Sequence, residues 1–403
     1  MRVLVADKLP VHTIDRFETL GMDVSMEPSL KAEALEARLA EWDPTVLVVR
    51  STRVDASHLS AASRLSLVVR AGAGVNTIDL DACSNGGVFV ANCPGKNSVA
   101  VAELAMGLII SLDRRIPDNV IDLRAGQWNK GMYAKASGLA GRTLGILGLG
   151  GIGTELAVRA LAFDMKVVAC SVPFPDVVAA QLGIERAETP QELASRCDVL
   201  SVHLPSMRET RGLVDDSVLG ELPNEGLFIN TARADVVNQD ALRKALERGI
   251  RAGLDVFADE PSTKQGAFDN DIAKHPNVYG THHIGASTEQ AQDAVALEVC
   301  RIIEGFRKTG TVDNCVNVRR KSSAGHVLVV RHRDRVGVLA GVLDTLRRAD
   351  VNVQEMENTI FAGAAAASAR IQVTGNIDDQ LIAALRIDND VLNVSAVPLQ
   401  ESK

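Results

Sequence analysis

The sequence predicts an α/β protein with two doubly wound parallel-sheet domains, Rossmann-like and flavodoxin-like, followed by a C-terminal ferredoxin-like βαββαβ domain. Three observations predict it. Across residues 1–98, continuous Val/Leu runs alternate with helical stretches, the pattern of strands covered on both faces. After one long helix the same pattern restarts at "TLGILGLGGIG" and runs through a second complete unit. Beyond a polar, basic linker, "NVRRKSSAGH", the order of elements changes to βαββαβ.

In chain order, the first unit offers strands at "RVLVAD", "TVLVVR", "LSLVVRAG" and "GVFVAN", with "KAEALEARLAEW" as an amphipathic helix. A long helix over 98–120 follows. The second unit continues through "KVVAC", "DVLSVHLP", "GLFINTAR", "RAGLDVF" and "NVYGTHH". A helix over 287–309 would carry the chain back to the first domain. The predicted boundaries are 1–98 with 285–318, then 99–284, then 324–403. In the last segment, strands fall at "HVLVVRH", "VNVQEMEN", "AAASARIQV" and "VLNVSAVPL", with helices at "GVLAGVLDTLRRA" and "IDDQLIAALRI".

Composition narrows the function. A chain of 403 residues, 46% hydrophobic, can bury large cores in two or three domains. A net charge of -8 argues against a protein that coats nucleic acid, whose phosphates call for a basic face. The longest apolar run, "VAVAELAMGLIISL", holds Glu103 and reads as a buried helix, not a membrane span. "MRVLVAD" opens directly as a strand, without the features of a signal peptide. Six scattered cysteines, Cys83, Cys93, Cys170, Cys197, Cys300 and Cys315, show no metal or disulfide spacing. Reduced thiols in a cytoplasmic protein, with no metal, are the expectation.

The segment "GILGLGGIGTELAVRAL" places Gly148, Gly150 and Gly153 in G-x-G-x-x-G spacing between a strand and a helix, with Gly151 and Ile152 inside the turn. The first glycine allows a tight turn, the second lets backbone approach a pyrophosphate, and the third permits helix-on-strand packing. The helix N-terminus offers free N–H groups to the anion. A dinucleotide is therefore expected. Ser171 occupies the position at the end of the next strand where an acidic residue would hold the ribose hydroxyls. No arginine follows to receive a 2′-phosphate, so NAD is expected over NADP.

Three later segments follow strand ends: "INTARADVV", "GLDVFADEP" and "THHIGAS". They supply Arg233, Glu260 and one of two adjacent histidines, His282 or His283. Ligands of an open parallel sheet sit beyond the carboxyl ends of its strands, so these side chains can converge. Histidine can take a hydroxyl proton, a carboxylate can fix its tautomer, and an arginine can grip a carboxylate in two prongs. That set suits hydride transfer at a 2-hydroxy or 2-oxo acid.

The order of "VRSTRV", "VVRAGAGVNTIDLDA", "PGKNSVAVAELAMGLI", "GRTLGILGLGGIG", "INTAR", "LDVFADEP" and "HIGAS" resembles that of the D-isomer-specific 2-hydroxyacid dehydrogenases, in the form that ends in an ACT domain. The resemblance implies catalysis by Arg233, Glu260 and His283; the family carries proline where His282 stands. It places Thr231, Ala232 and Asp255 at the NAD site, and gives His203 a structural place lining the nicotinamide pocket. For substrate it implies the backbone turn at Gly74, Val75 and Asn76, together with Arg50, Ser51, Arg70 and Asn97. Lys130 matches a basic position that reaches a neighbouring subunit's site, although "YAKASGLAGRTLG" departs from the family pattern there. Arginines at these positions imply a phosphorylated hydroxy acid. The competing readings are a plain hydroxypyruvate or glyoxylate reductase, and a dinucleotide-sensing interaction protein. In the tail, the resemblance implies an amino-acid effector, L-serine, at His332, Asp334 and Asn352, with Asp334 in place of asparagine and Val336 in place of proline. A homodimer or homotetramer is implied as well.

Overall fold

A computed structural model of the chain describes residues 1–30, 32–261, 265–319 and 322–399. Two residues of the predicted linker, 320 and 321, lie outside them. The chain forms two compact units, Met1–Asn317 and Val318–Lys403.

Within the first unit the first sheet has five parallel strands: β1 (Arg2–Val5), β2 (Asp23–Met26), β3 (Val46–Val49), β4 (Leu67–Arg70) and β5 (Phe89–Asn92). Their order is β2-β1-β3-β4-β5. The Val/Leu runs "RVLV", "VLVV" and "LVVR" are buried because helices cover both faces of the sheet. One face packs Val3, Val5, Val46 and Val48 against Val299 and Ile303 of the helix Glu289–Thr309; the other packs Leu4, Leu47 and Val68 against Leu35 and Leu39. The late helix thus does return the chain to the first sheet. β2 was not legible in the sequence: "DVSM" has no apolar run, and it holds an edge where only partial burial is needed.

The second sheet has seven parallel strands: β6 (Thr143–Leu147), β7 (Lys166–Cys170), β8 (Glu185–Arg186), β9 (Val199–Val202), β10 (Leu227–Asn230), β11 (Arg251–Leu254) and β12 (Val278–Gly280). Their order is β12-β11-β10-β9-β6-β7-β8. The order reverses direction beside β6, the switch point where an open α/β sheet binds its ligand. The helix predicted over 98–120 is in fact two helices, Ser98–Arg114 and Ile116–Arg124. Arg115 between them is left-handed at φ 51°, and Pro117 then sits in a first turn, where its missing N–H costs nothing. The first helix is buried along Val101, Ala105, Leu108 and Leu112 against the sheet. The second has no buried residue.

The C-terminal unit is a four-stranded antiparallel sheet of β13 (His326–Arg333), β14 (Asn352–Ile360), β15 (Ala366–Thr374) and β16 (Val391–Pro398). The strand order is β14-β15-β13-β16, with one face covered by helices Val338–Arg348 and Asp379–Leu385. The Ala-rich third strand forms as expected. Among the described residues, no helix is long and apolar enough to cross a membrane.

Where the helix Glu289–Thr309 meets the segment leading from β5, Glu298 is 6% exposed and bonds Arg301 at 2.6 Å, Lys96 at 3.3 Å and Asn314 at 2.8 Å. The Arg301 bonds, opposed by burial and helped by Lys96, hold this carboxyl at about 2 instead of 4.5. A depressed folded-state pKa stabilises above the unfolded value and is lost as pH falls through the folded one. Glu298→Gln should therefore cost about 3 kcal/mol of unfolding free energy at neutral pH. In chemical denaturation the gap to the unsubstituted protein should close as pH falls from 4.5 towards 2.

Candidate active site

A cleft of about 740 Å³ runs between the carboxyl ends of the two parallel sheets and is bordered by residues of both. At one end lies the glycine turn. Gly148 has φ 100°, and a β-carbon there would stand 2.8 Å from the His203 carbonyl oxygen. A β-carbon on Gly153 would collide with the Gly148 carbonyl. The twelve-residue helix Gly151–Ala162 begins at Gly150 with no side-chain cap, so its first N–H groups remain available to an anion. Ile152, Thr231, Ala232 and His203 border the cleft. Among the described residues, the Thr231 hydroxyl and His203 Nδ1 are buried there without a hydrogen-bond partner. Such atoms are costly unless something bonds them, and the polar edges of a dinucleotide would do so. The residues present thus fit NAD. Burial pushes the His203 imidazole down to about 4, so it is neutral near pH 7, with Nε2 2.9 Å from the Ser201 hydroxyl. Ser171 lies just past β7, half-buried, and does not border the cleft.

The three predicted catalytic residues come together at the mouth. β10 ends at Asn230, whose side chain accepts from the Ala232 N–H at 3.0 Å and donates to the Arg233 carbonyl at 2.9 Å. This fixed turn packs the Arg233 guanidinium against Gly74. β11 ends beside Asp255, which is 1% exposed. Its carboxylate accepts from the Thr281 hydroxyl at 2.6 Å and from the N–H groups of Ile284 and Gly285, both at 2.8 Å. Asp255, expected as a cofactor contact, borders the cleft but has its oxygens engaged by the loop that carries His283. In that loop His283 takes a left-handed φ of 52° and sets Nδ1 2.7 Å from Glu260 Oε2. The other Glu260 oxygen accepts the Phe257 N–H at 2.8 Å. Burial works against ionisation of Glu260, but the His283 bond, that N–H and the Arg233 charge hold it below its ordinary value. His282 is exposed and makes no hydrogen bond or ion pair among the described residues.

The opposite wall is basic. Gly74, Val75, Asn76 and Asn97 border it, as do Arg50, Ser51 and Arg70. The Arg70 guanidinium lies over Gly72, its Nε buried and unpartnered. Burial, then the nearby charges of Arg233 and Arg50, lowers it to about 10. Arg50 Nη1 reaches Gln292 Oε1 at 3.4 Å. Gln292, and Asp7 beneath Arg50, escaped the sequence reading; an acidic residue closing the first strand was the one signal for the latter. Lys130 is exposed on the short helix Lys130–Tyr133 and does not border the cleft.

The effector residues do not converge within one chain. His332 is 2% exposed, with Nδ1 2.8 Å from the Arg333 carbonyl and Nε2 3.1 Å from Asn358 Oδ1. It pairs with Ala367 on β15, whereas Asn352 pairs with Thr374 at the far end of that strand. At strand spacing that separation is roughly 20 Å. Asp334 is exposed in the turn after β13. Within one copy of the domain, His332 and Asn352 therefore stand at opposite ends of β15.

The site thus combines a dinucleotide-type glycine turn with an imidazole–carboxylate pair and an arginine beside the cleft between the two parallel sheets. Residues 106–285 match the D-isomer specific 2-hydroxyacid dehydrogenase NAD binding domain family. The chain thus carries, over residues 106–285, the NAD binding domain of the D-isomer-specific 2-hydroxyacid dehydrogenases. It is 36% identical over 321 residues to the D-3-phosphoglycerate dehydrogenase of Methanocaldococcus jannaschii, covering 79% of this chain and 60% of that protein. The Mycobacterium bovis protein of the same name is 36% identical over 362 residues, covering 87% of this chain and 66% of that one. The chain therefore spans about two thirds or less of the length of these curated relatives. The structure of NAD+-bound 3-phosphoglycerate dehydrogenase from Entamoeba histolytica superposes with a TM-score of 0.64 at 28% identity, covering 79% of this chain and 99% of that one.

The bond from His283 to Glu260 separates the two histidines experimentally. His283→Ala should lower kcat for oxo-acid reduction by roughly 100-fold or more, the usual worth of a general acid–base group. His282→Ala should stay within a factor of about three, and steady-state NADH oxidation with both variants checks the assignment.

Proposed function

We propose that the chain oxidises 3-phospho-D-glycerate to 3-phosphohydroxypyruvate with NAD, the first step towards L-serine, in the cytoplasm. The observation that carries this reading is Arg70: a guanidinium whose Nε is buried with no partner among the described residues, beside Arg50 and Arg233. Three guanidinium groups that repel one another around one cleft favour a ligand with more than one negative charge. A carboxylate and a phosphate on one small acid meet that requirement. Plain hydroxypyruvate or glyoxylate brings only the carboxylate.

The chemistry follows from the site. NAD, when bound, accepts hydride from the carbon that bears the substrate hydroxyl. His283 Nδ1 faces Glu260, so the proton on that nitrogen is held there and Nε2 is left as the base for the hydroxyl proton. The ionised Glu260 stabilises the imidazolium that results. Arg233 grips the carboxylate, with the backbone at Gly74 and Val75 alongside. Arg50 and Arg70 take the phosphate at the other end. A dinucleotide sensor without catalysis would not need the Glu260–His283 pair held in this way.

The partner expected besides substrate is a second copy of the chain. The helix Ile116–Arg124 buries none of its residues and exposes Ile121 by 64% and Leu123 by 57%, and Trp128 follows at 82%. Clustered exposed apolar side chains of this kind mark an interface, and Lys130 lies next to it. Ile121→Asp should shift the protein from dimer or tetramer towards monomer in light scattering.

The substrate reading is tested by NADH oxidation with 3-phosphohydroxypyruvate against hydroxypyruvate. A kcat/KM at least about 100-fold higher for the phosphorylated acid is expected, since a charged hydrogen-bonded contact is worth about 1.5–3 kcal/mol and two arginines are in place. Equal values would reassign the chain to the general hydroxyacid reductases.

A further inference from the structure

Asp7 follows β1, which neighbours β3 in the first sheet, and its side chain is 7% exposed. One of its oxygens accepts from the backbone N–H groups of Arg50 at 2.7 Å, Ser51 at 3.0 Å and Thr52 at 2.9 Å. The other accepts from the Ser51 hydroxyl at 3.0 Å. Burial opposes its ionisation, but the N–H bonds outweigh burial and keep the carboxyl below its ordinary value. All four donors belong to one turn, and that turn begins with Arg50. From there the Arg50 side chain crosses the cleft wall to Gln292 on the helix Glu289–Thr309. The arm is thus held at its base by Asp7 and near its tip by Gln292, with Arg70 bordering the same cleft.

We infer that Asp7 is a positioning residue for the substrate's distal anion, acting through Arg50 by clamping the turn from which that arginine extends. The inference rests on the reading of Arg50 as a phosphate contact. Asp7 borders neither the cleft nor the Glu260–His283 pair. The bonds it makes hold a group that grips a non-reacting part of the substrate, equally in the ground and transition states. Loss of such an interaction raises KM and leaves kcat largely unchanged. A carboxylate that merely supported the fold would instead affect both substrates, or kcat and stability alike.

The test is steady-state kinetics of the full chain with NADH, for Asp7→Asn, Arg50→Gln and the double variant. Both 3-phosphohydroxypyruvate and hydroxypyruvate serve as substrates. Asp7→Asn should raise KM for the phosphorylated acid by roughly ten-fold while kcat, and KM for hydroxypyruvate, change less than about two-fold. In the Arg50→Gln background, adding Asp7→Asn should change nothing further. Parallel losses on both acids in a protein that prefers the phosphorylated one would overturn the inference and leave the substrate reading intact. A wild-type protein without that preference would instead remove the substrate reading. The double-variant cycle on the preferred acid then decides Asp7 alone: multiplying effects on KM refute a route through Arg50, and non-additive ones sustain it. Should Asp7→Asn not fold, Asp7→Glu keeps charge and acceptors but displaces them by one methylene, and the same KM split is expected.

Discussion

Asp255 offers two oxygens to three donors, the Thr281 hydroxyl and the N–H groups of Ile284 and Gly285, from a position closed to solvent. A buried N–H left without a partner costs about 1–3 kcal/mol, so the 281–285 loop cannot drift without losing these bonds. The loop they fix holds His283 in a left-handed conformation, at φ 52°, that a residue with a β-carbon rarely adopts. Strain of about 1–2 kcal/mol is offset by those bonds. From that conformation follow the ring orientation and the bond to Glu260. The geometry of the His283–Glu260 pair therefore depends first on a buried carboxylate outside that pair.

The same device recurs in the other lobe, where Asp7 ties the turn that begins with Arg50. Each anchor stands just past one strand and secures the loop that follows the neighbouring strand. In a parallel sheet all those loops leave from the same edge, which makes this cross-strand tether available. One anchor thereby fixes the loop of His283, the other the turn of Arg50. Between them the unpaired charge of Arg70 is tolerated because a few guanidinium groups share a cleft that an anionic ligand can enter. The lowered value of about 10 still leaves Arg70 charged near neutrality.

In the C-terminal domain, small side chains decide what a histidine does. Ala367 and Ala369 on β15 are fully buried, and the His332 ring reaches across that strand to Asn358 on β14. With both nitrogens bonded and almost no exposure, His332 acts as an internal fastener of the sheet's end. The family resemblance implied an effector contact for this histidine, and within one copy its surroundings make it part of the packing.

How much was legible in the sequence follows the range of the physics involved. Burial on both faces writes itself into strands such as "VLVV", and the turn at Gly148 and Gly153 needs residues without a β-carbon, so sheets and dinucleotide turn could be read directly. The motif order identified Arg233, Glu260 and His283, and the fold brings them together. Edge strands such as β2, which need little burial, left no signal, and the break at Arg115 was masked by the apolar pattern running up to it. Side-chain partners outside the His283–Glu260 pair were not legible. Local sterics and periodic burial fix the strand–helix alternation, the glycine turn and the chemical types available at the cleft, so these are written in the sequence. Tertiary contacts make Asp255 and Asp7 anchors and His332 internal, because the bonds concerned join residues from 26 to 45 positions apart that chain folding alone brings within reach.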